Sequence, residues 1–321
     1  MRCVNVDESQ PDIVAPIDIA IDHVRQVYGG WRRDTPVEKM REDWDRLFWS
    51  ERVPAATRTV SLGRIEGLWV RAHGVDSIAD ASVPVVLYFH GGGFKVGSVR
   101  SHRDLMARLS AAARCQVLGV EYRLAPEDSC PAPIEDAVAA HEWLLAQGIA
   151  ARHIAFAGDS AGGGIVASAI MTLRQRGTPL PAAGIMLSAW TDLTAAGESY
   201  VSRAAADPIH QRPMILSTAR TYLAGNIDPS DPVASPLFGD LTGFPPLLLQ
   251  VGGRETVLDD STRFAAKARA AGVAVELEVY ENMIHVFQQF PDLLPEAREA
   301  IESIGRFLSK TFSVGVQDAG S

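Results

Sequence analysis

From residue 57 onward the chain alternates short apolar or β-branched runs with longer segments whose apolar residues recur every three to four positions. The first pattern suits strands buried on both faces and the second suits helices packed on one side, so the alternation predicts an α/β fold with a mostly parallel sheet between helices. A strand pair falls at 57–73, and buried strands at 84–89, 115–121, 153–157, 184–188, 246–251 and 273–280. Helices fit at 103–114, 134–147, 162–176, 213–223, 259–271 and 294–311. Before them, Ile21, Val24, Val27 and Tyr28, then Met40, Trp44, Leu47 and Phe48, repeat at helical spacing and predict two amphipathic helices outside the sheet. The chain thus divides into a helical segment over 1–55 and a sheet-bearing domain over 56–321, to which 195–225 adds a second helical insertion. The helical segment either merely covers the domain or walls a site as a lid. The tail 314–321 (VGVQDAGS) carries no pattern and is expected to fray.

Composition narrows the picture without changing it. An apolar content of 47% with 21% charged residues is that of a globular chain able to bury a large core. The net charge of −9, with no Lys/Arg cluster, disfavours nucleic acid or an anionic membrane as a partner. Cys3, Cys115 and Cys130 are too few and too uneven for a disulfide framework or metal cluster and read as reduced thiols. The first twenty residues carry Asp7, Glu8, Asp12 and Asp18 and lack the basic start and apolar run of a signal peptide, so the expected location is cytoplasmic.

The strand at 153–157 (HIAFA) runs into Gly158-Asp159-Ser160-Ala161-Gly162 and then a helical run. A serine on a sharp turn between strand and helix needs small neighbours, because the backbone is strained and other elements approach closely. Ser160 is therefore the candidate nucleophile. The strand at 84–89 ends in His90-Gly91-Gly92-Gly93-Phe94, where glycines leave backbone N–H groups unshielded. Gly91, Gly92 and Ala161 are the candidate donors to a developing oxyanion. A phosphate cradle is the rival reading of the glycines, but the G-x-x-x-x-G-K-[ST] pattern is absent. His90 orders the loop.

After the serine, an acid and then a histidine should follow. His285 stands in a short loop (ENMIHVFQQF) after the last predicted strand, where it can act as general base. The competing histidines have structural readings: His23, His73, His102 and His210 in cap, hairpin or surface segments, His141 in a helix, and His153 at the far end of the nucleophile strand. Glu255 is the first carboxylate after the strand at 246–251 and the candidate partner of His285. Asp259 and Asp260 read instead as the cap and first turn of the next helix.

Together, HGGGF at 90–94, EYRLAPE at 121–127, GDSAGG at 158–163, SAW-x-D-L at 188–193, Glu255 and His285 resemble the bacterial hormone-sensitive-lipase-like esterases of the α/β-hydrolase superfamily. The resemblance implies an eight-stranded sheet with a helical cap and a carboxylesterase acting without a cofactor on small-molecule esters of short- to medium-chain acyl groups. It also implies that Glu121 and Asp159 support the site by hydrogen bonds. One departure stands out: the family's acid is most often the first aspartate of a D-x-L-x-D pattern, and here E-T-V-L-D puts Glu255 there. Phe94, Trp190 and Phe287 flank the catalytic loops and are expected to line the pocket, favouring a small acyl group. The rivals are a lactone or amide hydrolase on the same triad and a non-catalytic small-molecule receptor, a fate of such scaffolds that proceeds by losing the histidine. A homodimer through an edge strand or the last helix is the assembly such folds commonly adopt.

Overall fold

The computed structural model describes residues 14–32, 34–72, 74 and 79–317, with 314–317 as backbone alone. His73, Cys3, the acidic residues before position 14 and the end of the tail (318–321) lie outside these. The expected sheet forms. Eight strands, β1 (Ala55–Ser61), β2 (Glu66–Ala72), β3 (Val85–Phe89), β4 (Gln116–Glu121), β5 (Ile154–Asp159), β6 (Ala183–Leu187), β7 (Leu247–Gly252) and β8 (Val275–Tyr280), lie in the order β1-β2-β4-β3-β5-β6-β7-β8. Only β2 runs against its neighbours; the pairings from β4 through β8 are parallel.

Strand β3 explains why the apolar runs were continuous rather than alternating. Val85, Leu87 and Phe89 join the core on one side of the sheet, while Val86 and Tyr88 join the core on the other, and all five are buried. Burying each such side chain stabilises the fold by about 1.5–3 kcal/mol relative to exposing it, so no polar residue fits here without loss. Helices α3 (Arg103–Ala113) and α9 (Pro295–Gln317) cover one face; α4 (Ala132–Ala146), α5 (Ala161–Arg176) and α8 (Leu258–Ala270) cover the other. The last helix runs on through 314–317, part of the segment expected to fray. No helix among the described residues is long and apolar enough to cross a membrane.

Four further helices, α1 (Pro16–Gly30), α2 (Val37–Phe48), α6 (Ser199–Ser202) and α7 (Arg212–Leu223), lie outside the sheet layers. Ala20 and Ile21 of α1 pack on Met283, Ile284 and Phe287, so this helix leans on the loop carrying His285. Arg41 of α2 donates to both Glu127 oxygens at 2.9 and 2.7 Å and to the carbonyls of Lys95 and Ala125, tying α2 to the loop that follows β3.

The carboxyl ends of β3, β5, β7 and β8 carry, in turn, the glycine loop, Ser160, Glu255 and His285, as expected where parallel strands open onto a crevice. The approach there is close. A Cβ on Gly162 would stand 2.0 Å from the Phe89 carbonyl oxygen and 2.7 Å from that of His90. Gly162→Ala should therefore force α5 away from β3 and lower stability by about 3 kcal/mol or more, read from urea denaturation. An unchanged midpoint would contradict this packing.

Candidate active site

Ser160 caps α5 with φ 53° and ψ −117°, a backbone region that non-glycine residues rarely adopt. Its N–H donates to the Leu187 carbonyl and its own carbonyl accepts from Trp190, so β6 and the turn after it hold the strained residue in place. Its Oγ lies 2.8 Å from His285 Nε2, and His285 Nδ1 lies 2.7 Å from Glu255 Oε2. The three side chains form one hydrogen-bonded line. Glu255 is fully buried, and its other oxygen accepts from the Ser188 hydroxyl at 2.7 Å and from the Gly252 N–H. Ser188 in turn accepts from the Val286 N–H at 3.0 Å, joining the acid to the residue after the base.

Burial alone would push the His285 imidazole down. The Glu255 carboxylate and its hydrogen bond, with the charges of Asp207 and Asp159 behind it, outweigh burial and hold the group above the ordinary histidine value.

The expected oxyanion donors need one correction. The Gly91 N–H donates to Asp159 Oδ1 at 3.0 Å and is not free to meet a substrate. Gly92 and Gly93 face the cavity with Ser160 instead, and among the described residues the N–H groups of Gly92, Gly93 and Ala161 meet no acceptor. Sequence cannot tell which of three adjacent glycine amides turns inward.

Asp159 is buried and accepts from Tyr88 at 2.6 Å as well as from Gly91, with His102 Nε2 3.3 Å away. Burial would raise its carboxyl; the charge of His102 and the bonds from His102 and Tyr88 hold it below the ordinary range. His102 was read as a surface residue, yet it is fully buried, and although burial opposes its charge, Asp159 raises its imidazole above the ordinary value. His90 stacks on Tyr122 with ring centroids 4.2 Å apart and its Nδ1 lies 2.8 Å from the Gly91 carbonyl; burial, then His102, push its imidazole down to about 3. Glu121 accepts the Val99 N–H at 3.0 Å, and burial pushes its carboxyl up to about 7.

A cavity of about 770 Å³ opens onto Ser160 and His285. Of the three aromatic residues expected in its wall, Trp190 is there. Phe94 instead lies flat on Tyr222, with centroids 3.7 Å apart, and Phe287 packs under α1 beside Tyr280. Each flanks a catalytic loop but turns into a core, where its area is buried more completely. The wall comes from the cap: Tyr28, Trp31, Trp44 and Phe48 of the N-terminal helices and Met214 and Ile215 of α7. The N-terminal pair thus walls the site.

His210, also read as cap or surface, is buried against His285 with ring centroids 4.3 Å apart, and burial, then His285, push its imidazole down to about 3. Asp207 fixes that loop to the triad: it accepts from the N–H groups of Ile209 and His210 and from the N–H and hydroxyl of Thr256, next to Glu255. Neither residue carries a signal in sequence beyond its polarity. Asp259 sits in the first turn of α8, as expected of a structural carboxylate, but its bond from the Ser199 N–H at 3.0 Å ties down α6 rather than capping its own helix. Asp260, fully buried, likewise accepts from the Thr191 and Asp192 N–H groups and the Tyr200 hydroxyl. Among the described residues no group of three or more His, Cys, Asp or Glu is placed to hold a metal ion.

Residues 86–289 match the family described as alpha/beta hydrolase fold. An acetyl-hydrolase of Streptomyces hygroscopicus is 41% identical over 288 residues, 89% of this chain and 94% of that protein. The crystal structure of an esterase from the bacterial hormone-sensitive lipase family superimposes with a TM-score of 0.87 at 43% identity, covering 92% of this chain and 98% of that one. The chain belongs to this family. It is a carboxylic ester hydrolase of the α/β-hydrolase fold. The crystal structure of EstE5 soaked with p-nitrophenyl butyrate is also similar, with a TM-score of 0.85 at 36% identity over 93% of this chain and 99% of that one.

Because only a neutral imidazole can take a proton, kcat/KM should fall as pH drops, with its half-point above the ordinary histidine value of about 6.5. Glu255→Gln removes the main charge opposing burial, so the half-point should move to lower pH while activity falls by ~10³- to 10⁴-fold through loss of the correct tautomer. Asp259→Asn should leave activity near wild type and lower stability by about 1 kcal/mol, the worth of weakening its bond with the Ser199 N–H. The reverse pattern, an active Gln variant and an inactive Asn variant, would show that Glu255 is not the partner.

Proposed function

We propose that this esterase hydrolyses short- to medium-chain acyl esters through a Ser160–His285–Glu255 triad and an acyl-enzyme intermediate. The reading rests on the continuous contact from Glu255 Oε2 through both His285 nitrogens to Ser160 Oγ. Ser160 Oγ attacks the ester carbonyl carbon as His285 Nε2 takes its proton, and Glu255 holds the imidazole in the tautomer with hydrogen on Nδ1 and stabilises the imidazolium. The N–H groups of Gly92, Gly93 and Ala161 receive the oxyanion, assisted by the positive end of α5. The imidazolium then protonates the departing alkoxide. Water, deprotonated by the same nitrogen, attacks the acyl-enzyme and releases the acid.

The preference for shorter chains no longer draws on Phe94 or Phe287. It draws on a cavity of about 770 Å³, within the range that encloses small molecules, closed by aromatic side chains of the cap. The outer faces of the cap helices carry exposed Asp22, His23, Glu38, Lys39 and Glu42, unlike the broad apolar lid of an enzyme working at oil surfaces. The relative named acetyl-hydrolase, from Streptomyces hygroscopicus, supports small acyl groups.

Ser160→Ala should fold normally and lose at least about a thousandfold in kcat, since only binding and the oxyanion donors remain. Turnover at the wild-type rate would remove Ser160 as nucleophile. On p-nitrophenyl acetate, butyrate, hexanoate and palmitate, kcat/KM should peak at or before hexanoate; highest activity on palmitate would point to a lipase.

A further inference from the structure

We infer that the cavity is built for apolar esters that carry an anionic group, a carboxylate in the simplest case, received by Lys95, Arg25 and Arg32. The inference rests on the reading of Ser160 as nucleophile and adds the substrate's charge. In a chain with 39 acidic and 30 basic residues, the charged side chains lining this cavity, histidines apart, are three cations and one carboxylate. That carboxylate is Asp159, which is buried and whose oxygens are already engaged by Gly91, Tyr88 and His102, so it presents no free acceptor to a ligand.

The cations are differently placed. Lys95 follows the glycine loop two residues after Gly93. Its main chain is fixed on both sides, the N–H to the Gly92 carbonyl at 3.1 Å and the carbonyl by Arg41 at 3.0 Å, whereas its ammonium has no carboxylate partner among the described residues. Arg25, on α1, also lines the cavity. Asp18 and Asp22 border the adjoining groove with Arg25 but form no ion pair with it. Arg32 is held by the carbonyls of Gly29 at 2.6 Å and Trp31 at 3.1 Å, which aim the guanidinium without neutralising it. Along the same wall stand Tyr28, Trp31 and Trp44, whose rings pack against one another, centroids 4.9 to 6.4 Å apart. Arg25 and Arg32 are exposed and Lys95 is half-buried, so the apolar wall strengthens the field mainly at Lys95, and the gain it gives an anion is sensitive to salt. Around the cavity lies a chain of net charge −9 that repels anions, which makes the cationic lining a selective feature.

The test compares anionic and neutral esters of matched size, each normalised to its own hydroxide-catalysed rate. The pair 4-acetoxybenzoate and 4-acetoxybenzamide puts the charge on the alcohol side; mono-p-nitrophenyl glutarate and p-nitrophenyl pentanoate put it on the acyl side. In at least one pair the anionic ester should have about tenfold higher kcat/KM, mostly through KM, and the advantage should shrink several-fold between ~20 mM and ~500 mM salt as the charges are screened. Lys95→Gln and Arg25→Gln together should lower that ratio about five- to tenfold, the pair that responds showing which side of the ester faces the cations. A ratio at or below one in both pairs at low salt, or one that the double variant leaves unchanged, would overturn the inference while Ser160-dependent hydrolysis of the neutral esters stood. If Ser160→Ala kept wild-type turnover of those neutral esters, the underlying reading would fall as well.

Discussion

The site depends on one buried carboxylate. Asp159 ends the nucleophile strand, immediately before Ser160, and reaches across to the Gly91 N–H, the Tyr88 hydroxyl and His102. A charge this deep is tolerated only when it is paired and fully hydrogen-bonded, and each partner it gathers belongs to a different part of the site. Gly91 begins the glycine loop, Tyr88 lies on the strand leading into it, and His102 opens α3. By occupying the Gly91 amide, Asp159 fixes the plane of that peptide and sets the direction of the next two, so that Gly92 and Gly93 turn toward Ser160. The position of the glycine loop relative to Ser160 is thus tied to satisfying a carboxylate, and the strained Ser160 backbone is held by its bonds with Leu187 and Trp190.

On the other side of Ser160 the same logic holds His285. Glu255 is shared among His285, Ser188 and Gly252, and Ser188 accepts in turn from Val286, so acid, base and the end of β6 form a closed loop of hydrogen bonds. The cap is fastened to that loop twice: by Asp207 through Thr256, and by the packing of α1 on Met283, Ile284 and Phe287. A displacement of α1 or of the 207–210 segment would therefore be felt at His285 as well as in the cavity wall. The cavity wall and the loop that carries His285 share supports.

What was legible in sequence follows from range. The strands could be read because β3, β5 and β7 are buried on both faces and admit little but apolar residues. Ser160 and His285, which the fold brings within 2.8 Å of each other, could be singled out because the turn at Ser160 needs glycines in fixed places and His285 follows the last strand directly. Polar residues whose partners lie far away in sequence could not. The run Ser101-His102-Arg103-Asp104, where the helix at 103–114 was expected to begin, looks solvated by its polarity, yet all four are buried: Arg103 and Asp104 satisfy the main chain at Val53 and Ala55, and His102 serves Asp159. Phe94 and Phe287 failed for a related reason, since a residue beside a catalytic loop can turn either to the pocket or to the core, and Tyr222 and α1 provide the better-packed side.

The glutamate at 255 shows how local geometry selects a residue type. Its N–H bonds back to the Gly252 carbonyl at 3.2 Å, and its own carboxylate accepts the Gly252 N–H, so the chain doubles back immediately after β7 and the side chain must reach out of a tight turn. One oxygen is committed to Gly252 and Ser188, leaving the other for His285. An aspartate on this backbone, one methylene shorter, would have to give up either the anchoring bonds that orient the carboxylate or the bond to the imidazole. The nearby aspartates cannot substitute, because Asp259 holds Ser199 and Asp260 holds Thr191, Asp192 and Tyr200. The turn, the residue type and the neighbouring carboxylates are consequently a single solution: the longer side chain spans the gap that the tight turn creates, and the aspartates four and five residues on fasten the cap helix and the loop after β6.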